Sequence, residues 1–280
     1  MSPVIIFGNI IDKRELLRSE ALMLIDEELW QDIPLIHFYN EEMNECSPVL
    51  IFLHGFTSAK EHNLHYAYQL VKKGVRVILP DALLHGDRCE GLSEEKMNLQ
   101  FWNIVLNSIH EVGELYNEIR SRFQPKKLGI AGTSMGGITT CGCLKKYDWI
   151  DAAGICMGAP GYNAFADYQL VEFEKAGIPL PLSDEQIEQI HTALSEYDIS
   201  KTPERLNNRP VIFWHGKRDV TVPMENAVHF YEQARPYYQQ PEHLQLIIDE
   251  NQGHKVNREG MLKVTDFLAK HLTEDETFVF

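Results

Sequence analysis

The sequence predicts an α/β protein with a mostly parallel, doubly wound sheet. Three observations lead there. Six short apolar runs recur along the chain, each stopped by turn residues. Helix-like segments separate them, and alternation of the two is the pattern of a parallel sheet with right-handed crossovers. The runs also lack the polar alternation of a half-exposed strand, as expected of strands covered on both faces.

In chain order, the first run is Val49-Leu50-Ile51-Phe52-Leu53, ending at His54-Gly55. Val75 to Leu79 ends at Pro80-Asp81, Leu128 to Ala131 at Gly132, and Ala152 to Met157 at Gly158-Ala159-Pro160. Val211 to Trp214 ends at His215-Gly216, and Leu244 to Ile248 at Asp249. Ile33 to Tyr39 is expected as an additional edge strand, and residues 11–32 hold a further element that the pattern does not place. Helices are expected over 61–73, 94–123, 135–147, 224–239 and 257–271. Ligands of such sheets bind at the carboxyl ends of the strands, so the informative residues are those at which each run stops.

One interval breaks the rhythm. Residues 159–209 separate two strands by far more than an ordinary crossover needs. They hold two helix-like stretches, Tyr162 to Ala176 and Ser183 to Tyr197, with Pro179 and Pro181 between them. Ser183 with Gln186 fits a capping box. The expectation is a single domain over 1–280 with a small helical lid at about 160–208. Phe165, Tyr168, Leu170, Phe173 and Leu182 give that lid apolar faces, either to cover a substrate or simply to pack on the sheet. Of these, Phe165, Tyr168 and Phe173 are candidate substrate contacts.

The chemistry is concentrated at Gly132-Thr133-Ser134-Met135-Gly136-Gly137. A small-x-Ser-x-small turn between a strand and a helix is a nucleophile elbow. The bend is tight enough that only small residues fit two places either side of the serine, and it lifts the Ser134 hydroxyl above the sheet edge. A serine needs a base and the base an orienter, which in this order follow it along the chain. The best acid is Asp219, on the loop after one buried strand, and the best base His254, on the loop after the next. Glu225 and Asp249 are substitute acids, but Glu225 falls on the following helix. Acyl transfer also needs oxyanion donors. These are expected to be the backbone N–H of Met135 and, after the strand that ends at His54-Gly55, that of Phe56. His54 and His85 are candidate substrate contacts, with bracing of their loops as the competing reading. His85-Gly86-Asp87-Arg88 also reads as a structural loop with an Asp–Arg pair.

With these residues in view, the chain resembles the α/β-hydrolase family from about residue 33 to 271. The phrases Leu53-His54-Gly55-Phe56-Thr57-Ser58-Ala59-Lys60-Glu61 and Pro80-Asp81-Ala82-Leu83-Leu84-His85-Gly86-Asp87-Arg88 resemble small bacterial serine esterases. That group is related to dienelactone hydrolases and to the catalytic domain of prolyl oligopeptidases. His215-Gly216-Lys217-Arg218-Asp219 resembles their acid loop. The resemblance implies a Ser134, Asp219, His254 triad with Phe56 and Met135 as oxyanion donors, acting on carboxylic esters. A lid of only about fifty residues suggests a modest pocket and short to medium acyl chains. Dienelactone hydrolases proper use cysteine where this chain has Ser134, so lactone specificity does not carry over. The oligopeptidase propeller has no counterpart in this sequence, which counts against selective peptidase activity. The alternatives are a peptidase or acyl-transferase on the same triad, and a non-catalytic protein of this fold. Asp would be needed in place of Ser134 for a dehalogenase or epoxide hydrolase.

The totals narrow the partners. Twenty-six basic against 41 acidic residues leave a net charge of −15, which argues against nucleic acid and anionic membranes. The expected partner is a small ester, and a homodimer stays open. His37, His62, His65, His110, His191, His229, His243 and His271 are scattered without metal-ligand spacing, so neither metal nor cofactor is expected. Five cysteines, an odd number, do not suggest a disulfide framework, and Cys141 and Cys143 read as small buried apolar residues. No apolar run is long enough to cross a membrane, and the first residues lack the features of a secretion signal. The expected compartment is the cytoplasm.

Overall fold

The computed structural model describes residues 22–177 and 183–274, together with a two-stranded antiparallel pair, β1 (Ile5–Ile6) and β2 (Asn9–Ile10). The main sheet contains β3 (Met23–Trp30), β4 (Ile33–Asn40), β5 (Val49–Leu53), β6 (Arg76–Pro80), β7 (Leu128–Thr133), β8 (Ala152–Cys156), β9 (Val211–Gly216) and β10 (Leu244–Asp249). Their order is β10-β9-β8-β7-β5-β6-β4-β3. The six strands from β10 to β6 run parallel, while β4 and β3 are added antiparallel.

Side chains of the central strands alternate between two layers, following the period of two along a strand. Val49, Ile51 and Leu53 face the layer formed by α2 (Glu94–Arg122), α3 (Met135–Lys146) and α6 (Met224–Ala234). Leu50 and Phe52 face α1 (Leu64–Val71) and α7 (Arg258–Thr273). Both sets are buried, which is why these strands are continuous apolar runs in the sequence.

The edge differs from expectation. Ile33–Asn40 is one strand in from the edge, and Met23–Trp30 takes the outer place. The two are joined by Gln31 and Asp32, with φ of 49° and 62°, the mirror-image turn of a two-residue hairpin. Asp26, Glu27 and Glu28 give β3 a charged outer stretch, a common defence of a sheet edge against pairing with another chain. Residues 11–21, also left unplaced by the sequence, lie outside the described residues.

The long interval is an insertion between β8 and β9. It contains α4 (Tyr162–Lys175), α5 (Asp184–Ser195) and two short 3₁₀ turns, Ile199–Lys201 and Pro203–Leu206. Ser183 and Gln186 cap α5 reciprocally, the Ser183 N–H donating to Gln186 Oε1 at 2.8 Å and the Gln186 N–H to Ser183 Oγ at 3.3 Å. The fully buried Tyr162 hydroxyl donates to the Ile138 carbonyl at 2.6 Å and pins α4 to α3. Pro179, Pro181 and Leu182 lie outside the described residues. The helix expected over 224–239 ends at Ala234, because Pro236 cannot continue it, and the chain goes on as a 3₁₀ turn over Arg235–Tyr237. Among the described residues no helix is long and apolar enough to cross a membrane.

Candidate active site

Ser134 sits between β7 and α3 with φ 55° and ψ −119°, a left-handed conformation that costs a non-glycine residue on the order of 1–3 kcal/mol. The surroundings hold it there. Its N–H donates to the Cys156 carbonyl at 2.8 Å, and its carbonyl accepts from the Ile138 N–H at 2.9 Å. A Cβ on Gly132 would lie 2.3 Å from the Gly136 carbonyl carbon, and one on Gly136 would lie 2.2 Å from the Leu53 carbonyl oxygen. The small residues of the elbow are therefore demanded by close backbone approach.

The loops after β9 and β10 bring Asp219 and His254 to this hydroxyl. His254 Nδ1 is 2.7 Å from Asp219 Oδ2, and His254 Nε2 is 2.8 Å from Ser134 Oγ. Ionised, Asp219 can only accept, so the Nδ1 proton points at it and Nε2 is left to accept from the serine. Asp219 is buried, and its Oδ1 accepts from the N–H groups of Thr221 and Val222 at 2.9 and 3.0 Å. Burial alone would raise the carboxyl pKa, but hydrogen bonds from His215, His254 and Val222 hold it well below the ordinary range. The two loops are also tied to each other: the Arg218 N–H donates to Gln252 at 2.9 Å and the Lys217 N–H to Asp249 at 2.8 Å.

His215 is a site residue that sequence reasoning passed over. It is buried, donates from Nε2 to the Val222 carbonyl at 2.7 Å, and stands 3.5 Å from Asp219 Oδ2. It thereby fixes the turn whose N–H groups hold Asp219. The His-Gly-x-x-Asp phrase was its visible signal.

Among the described residues, neither the Phe56 nor the Met135 N–H donates to a protein acceptor. Both belong to turns beside Ser134. His54 and His85 shape the Phe56 turn from beneath. His54 Nδ1 donates to the Gly55 carbonyl at 2.8 Å, and Nε2 accepts from the Ala82 N–H at 3.0 Å. His85 Nδ1 donates to Leu83 at 2.9 Å, and Nε2 accepts from the N–H of Thr57, itself at φ 58°. Each ring is buried with both nitrogens engaged by protein groups, which is the bracing geometry and not that of a side chain open to substrate. Burial lowers both pKa values, that of His54 to about 4, and keeps the rings neutral.

Beneath the braces lies a buried ion pair. Asp81 accepts from the Lys60 ammonium at 2.9 Å, the Lys60 N–H at 2.9 Å and the Asp87 N–H at 3.0 Å. Lys60 also reaches Asp87 at 2.7 Å. Burial would lower the Lys60 pKa, but bonds to Asp87, Asp81 and Glu61 raise it overall. The Asp87–Arg88 pair read from the sequence is thus replaced by two others, Lys60 with Asp87 and a bidentate Arg88–Glu111 pair at 2.7 and 3.0 Å.

Phe165 is buried in the α2 layer, its ring 6.2 Å from Phe101 and 6.1 Å from Trp102. Tyr168 stacks on Phe165 at 6.1 Å. Phe173 lies further along α4, where it lines an apolar cavity of about 310 Å³ between α2 and the insertion. Among the described residues no cluster of His, Cys, Asp and Glu could hold a metal.

An elbow serine over the carboxyl end of such a sheet, hydrogen-bonded to a histidine that meets an aspartate, the two on the loops after β10 and β9, defines an α/β-hydrolase. The chain belongs to the prolyl oligopeptidase family within that class, whose family model matches residues 109–275. It is 42% identical to the Bacillus subtilis protein YitV, provisionally named an esterase, over 90% of this chain and all of that one. It is 29% identical to the esterase YjfP of Escherichia coli, over 86% of this chain and 96% of that protein. Among solved structures, TT1662 of Thermus thermophilus shares the fold with a TM-score of 0.73 and 21% identity, covering 91% of this chain and all of that one.

Proposed function

We propose that the chain is a serine carboxylesterase in which Ser134, His254 and Asp219 act as triad and the N–H groups of Phe56 and Met135 as oxyanion hole. As Ser134 Oγ bonds to the ester carbonyl carbon, His254 Nε2 takes its proton. Asp219 holds the imidazole tautomer and stabilises the imidazolium. The two N–H groups receive the negative oxygen of the tetrahedral intermediate. The intermediate collapses by breaking the bond to the alcohol oxygen, which takes the proton from His254 and leaves an acyl-enzyme. Water then attacks the acyl carbon, gives a proton to His254, and the acid leaves as Ser134 recovers the proton. The observation that carries this reading is the hydrogen-bonded run from Ser134 through His254 to Asp219 beside two N–H groups that have no acceptor among the described residues.

Preference for esters over amides is supported by the esterase names of YitV and YjfP. We read the chain as one domain with the insertion at about 160–208 as its lid, and its substrates as short- to medium-chain esters. A reducing compartment such as the cytoplasm suits five cysteines, none of them in a disulfide. The test is hydrolysis of p-nitrophenyl esters from acetate to decanoate, beside fluorophosphonate labelling, in the wild type and Ser134→Ala. Ester turnover and labelling that both vanish in the variant are expected. Labelling at Ser134 with cleavage of aminoacyl amides instead of esters would move the chain to the peptidases, and turnover retained by the variant would remove Ser134 from the mechanism.

A further inference from the structure

The cavity between α2 and the insertion has no part in the triad or the oxyanion turns. Its walls are mostly apolar, with Leu99, Trp102 and Leu106 from α2 facing Leu170 and Phe173 from α4 and Ile187 from α5. At about 310 Å³ it lies at the lower end of ligand-pocket volumes. Phe101 joins it to the site. Its ring lines the cavity and also meets the ring of Phe56 edge-on at 5.4 Å, next to the N–H proposed as oxyanion donor.

Topology and chemistry decide what enters. Ser134 follows β7. In the sheet order, β9 and β10, which lead to Asp219 and His254, lie on one side of β7, and β5, which leads to Phe56, lies on the other. The leaving alcohol must take its proton from His254, so it belongs on the β9–β10 side. The acyl chain then leaves the carbonyl carbon past Phe56, whose ring meets that of Phe101 in the cavity wall.

We infer that this cavity holds the acyl chain of the substrate and that Phe101 is the gate between it and Ser134. The inference rests on the esterase reading of the same site. It makes acyl esters with an extended aliphatic chain the preferred class, because each methylene passing Phe101 exchanges water for apolar wall. It also makes α2 a specificity element, in a stretch whose sequence reads as ordinary helix. Acetate, too short to pass Phe101, gains nothing from the cavity.

The test fills the cavity from its far wall. Ala166→Phe and, separately, Leu170→Trp occupy the space, while Phe101→Ala opens the gate. The ratio of kcat/KM for p-nitrophenyl octanoate to that for acetate should fall at least about tenfold in each filled variant, the equivalent of two or more methylenes losing their burial. In Phe101→Ala the ratio for decanoate to acetate should rise. Calorimetry supplies a readout free of turnover: decanoate should bind Ser134→Ala at least about tenfold more tightly than Ser134→Ala/Leu170→Trp. Unchanged ratios in whichever filled variant keeps the wild-type melting temperature, or equal decanoate binding by the two Ser134→Ala proteins, would overturn the assignment. Decanoate binding that Leu170→Trp abolishes, in a protein that turns over no ester, would leave the cavity assignment standing and overturn the esterase reading.

Discussion

The hydroxyl of Tyr168, on α4, donates to the carbonyl of Val220 at 2.6 Å, and Val220 is the residue after Asp219. The insertion is thereby fastened to the loop that carries the proposed acid. Tyr168 stacks on Phe165, Phe165 meets Phe101, and Phe101 meets Phe56, so rings run without a break from the Asp219 loop to the turn of the proposed oxyanion donor Phe56. Tyr168→Phe keeps the ring and deletes only the fastening. One neutral hydrogen bond is worth about 1 kcal/mol net, and the melting temperature should drop by about 2–4 °C. Steady-state kinetics on an ester should show KM raised several-fold with kcat within about twofold. A fall in kcat at constant KM would place the role of Tyr168 in the chemical step instead.

Residues that act as one unit fail together. Ser134→Ala should lower kcat by on the order of 10⁴ or more, and His254→Ala by a comparable factor. Combining the two should cost less than about threefold beyond either alone, since neither has a function without the other. Asp219→Asn should lower kcat by about 10⁴, because an amide in place of the carboxylate no longer selects the Nδ1–H tautomer of His254. Additive losses in the Ser134/His254 double variant would separate the pair.

The neutral braces give the protein an acid limit. His54 is held at about 4 against an ordinary 6.5, and burial lowers His85 in the same direction. Below pH 6.5 the unfolded chain takes up protons that the folded rings refuse, so their contribution to stability is whole above 6.5 and is lost as pH falls toward 4. For His54 the full difference is roughly 3 kcal/mol. Urea midpoints measured at several pH values should fall steeply over that window in the wild type and less steeply in His54→Gln. Because His271 is also held at about 4, the comparison is between the two proteins and not against a flat baseline. Equal slopes would mean that His54 is not what senses the acid.

What could be read in the chain follows from where burial is complete. The strands β5 to β9 were legible because both faces of each are covered and every one stops at a turn. β10, half-buried at the other sheet edge, was legible because its residues are mostly apolar as well. Met23–Trp30 was not legible, because an edge strand needs only partial cover: Leu29 is 62% exposed, Asp26-Glu27-Glu28 reads as polar, and Gln31-Asp32 lacks the glycine or asparagine that usually marks such a hairpin. Ser134, Asp219 and His254 could be picked out because each lies at a strand end, and the fold brings them within hydrogen-bond distance. Lys60 and Phe101 could not. Lysine at a loop end ordinarily reads as surface, and the burial of Lys60 depends on Asp81 and Asp87 from another loop. Phe101 differs from other apolar residues of a long helix only by what it touches across space.

The Lys60–Asp81 pair is expected to hold the turn of the proposed oxyanion donor Phe56 more than the fold at large, and breaking it in two ways tests this. The Asp81 side chain is wholly buried and that of Lys60 nearly so. Lys60→Met leaves a desolvated carboxylate without its counter-charge, a change that costs on the order of 3–5 kcal/mol. Asp81→Asn in the same chain removes the stranded charge but keeps an acceptor for only one of the Lys60 and Asp87 N–H groups, which bond different carboxylate oxygens, so Lys60→Met/Asp81→Asn should regain only part of that stability. Asp87→Ala, by contrast, removes a side chain that is 63% exposed and should cost about 1 kcal/mol or less. Activity should separate from stability in this series. The double variant should raise the midpoint of denaturation above that of Lys60→Met, but the segment after Gly55 is no longer drawn down by the Lys60 ammonium, so the Phe56 N–H should sit less well for an oxyanion and kcat should stay several-fold low. A double variant that recovers full kcat along with its stability would make the pair a purely structural device, and the position of Phe56 would then depend on the two histidines alone.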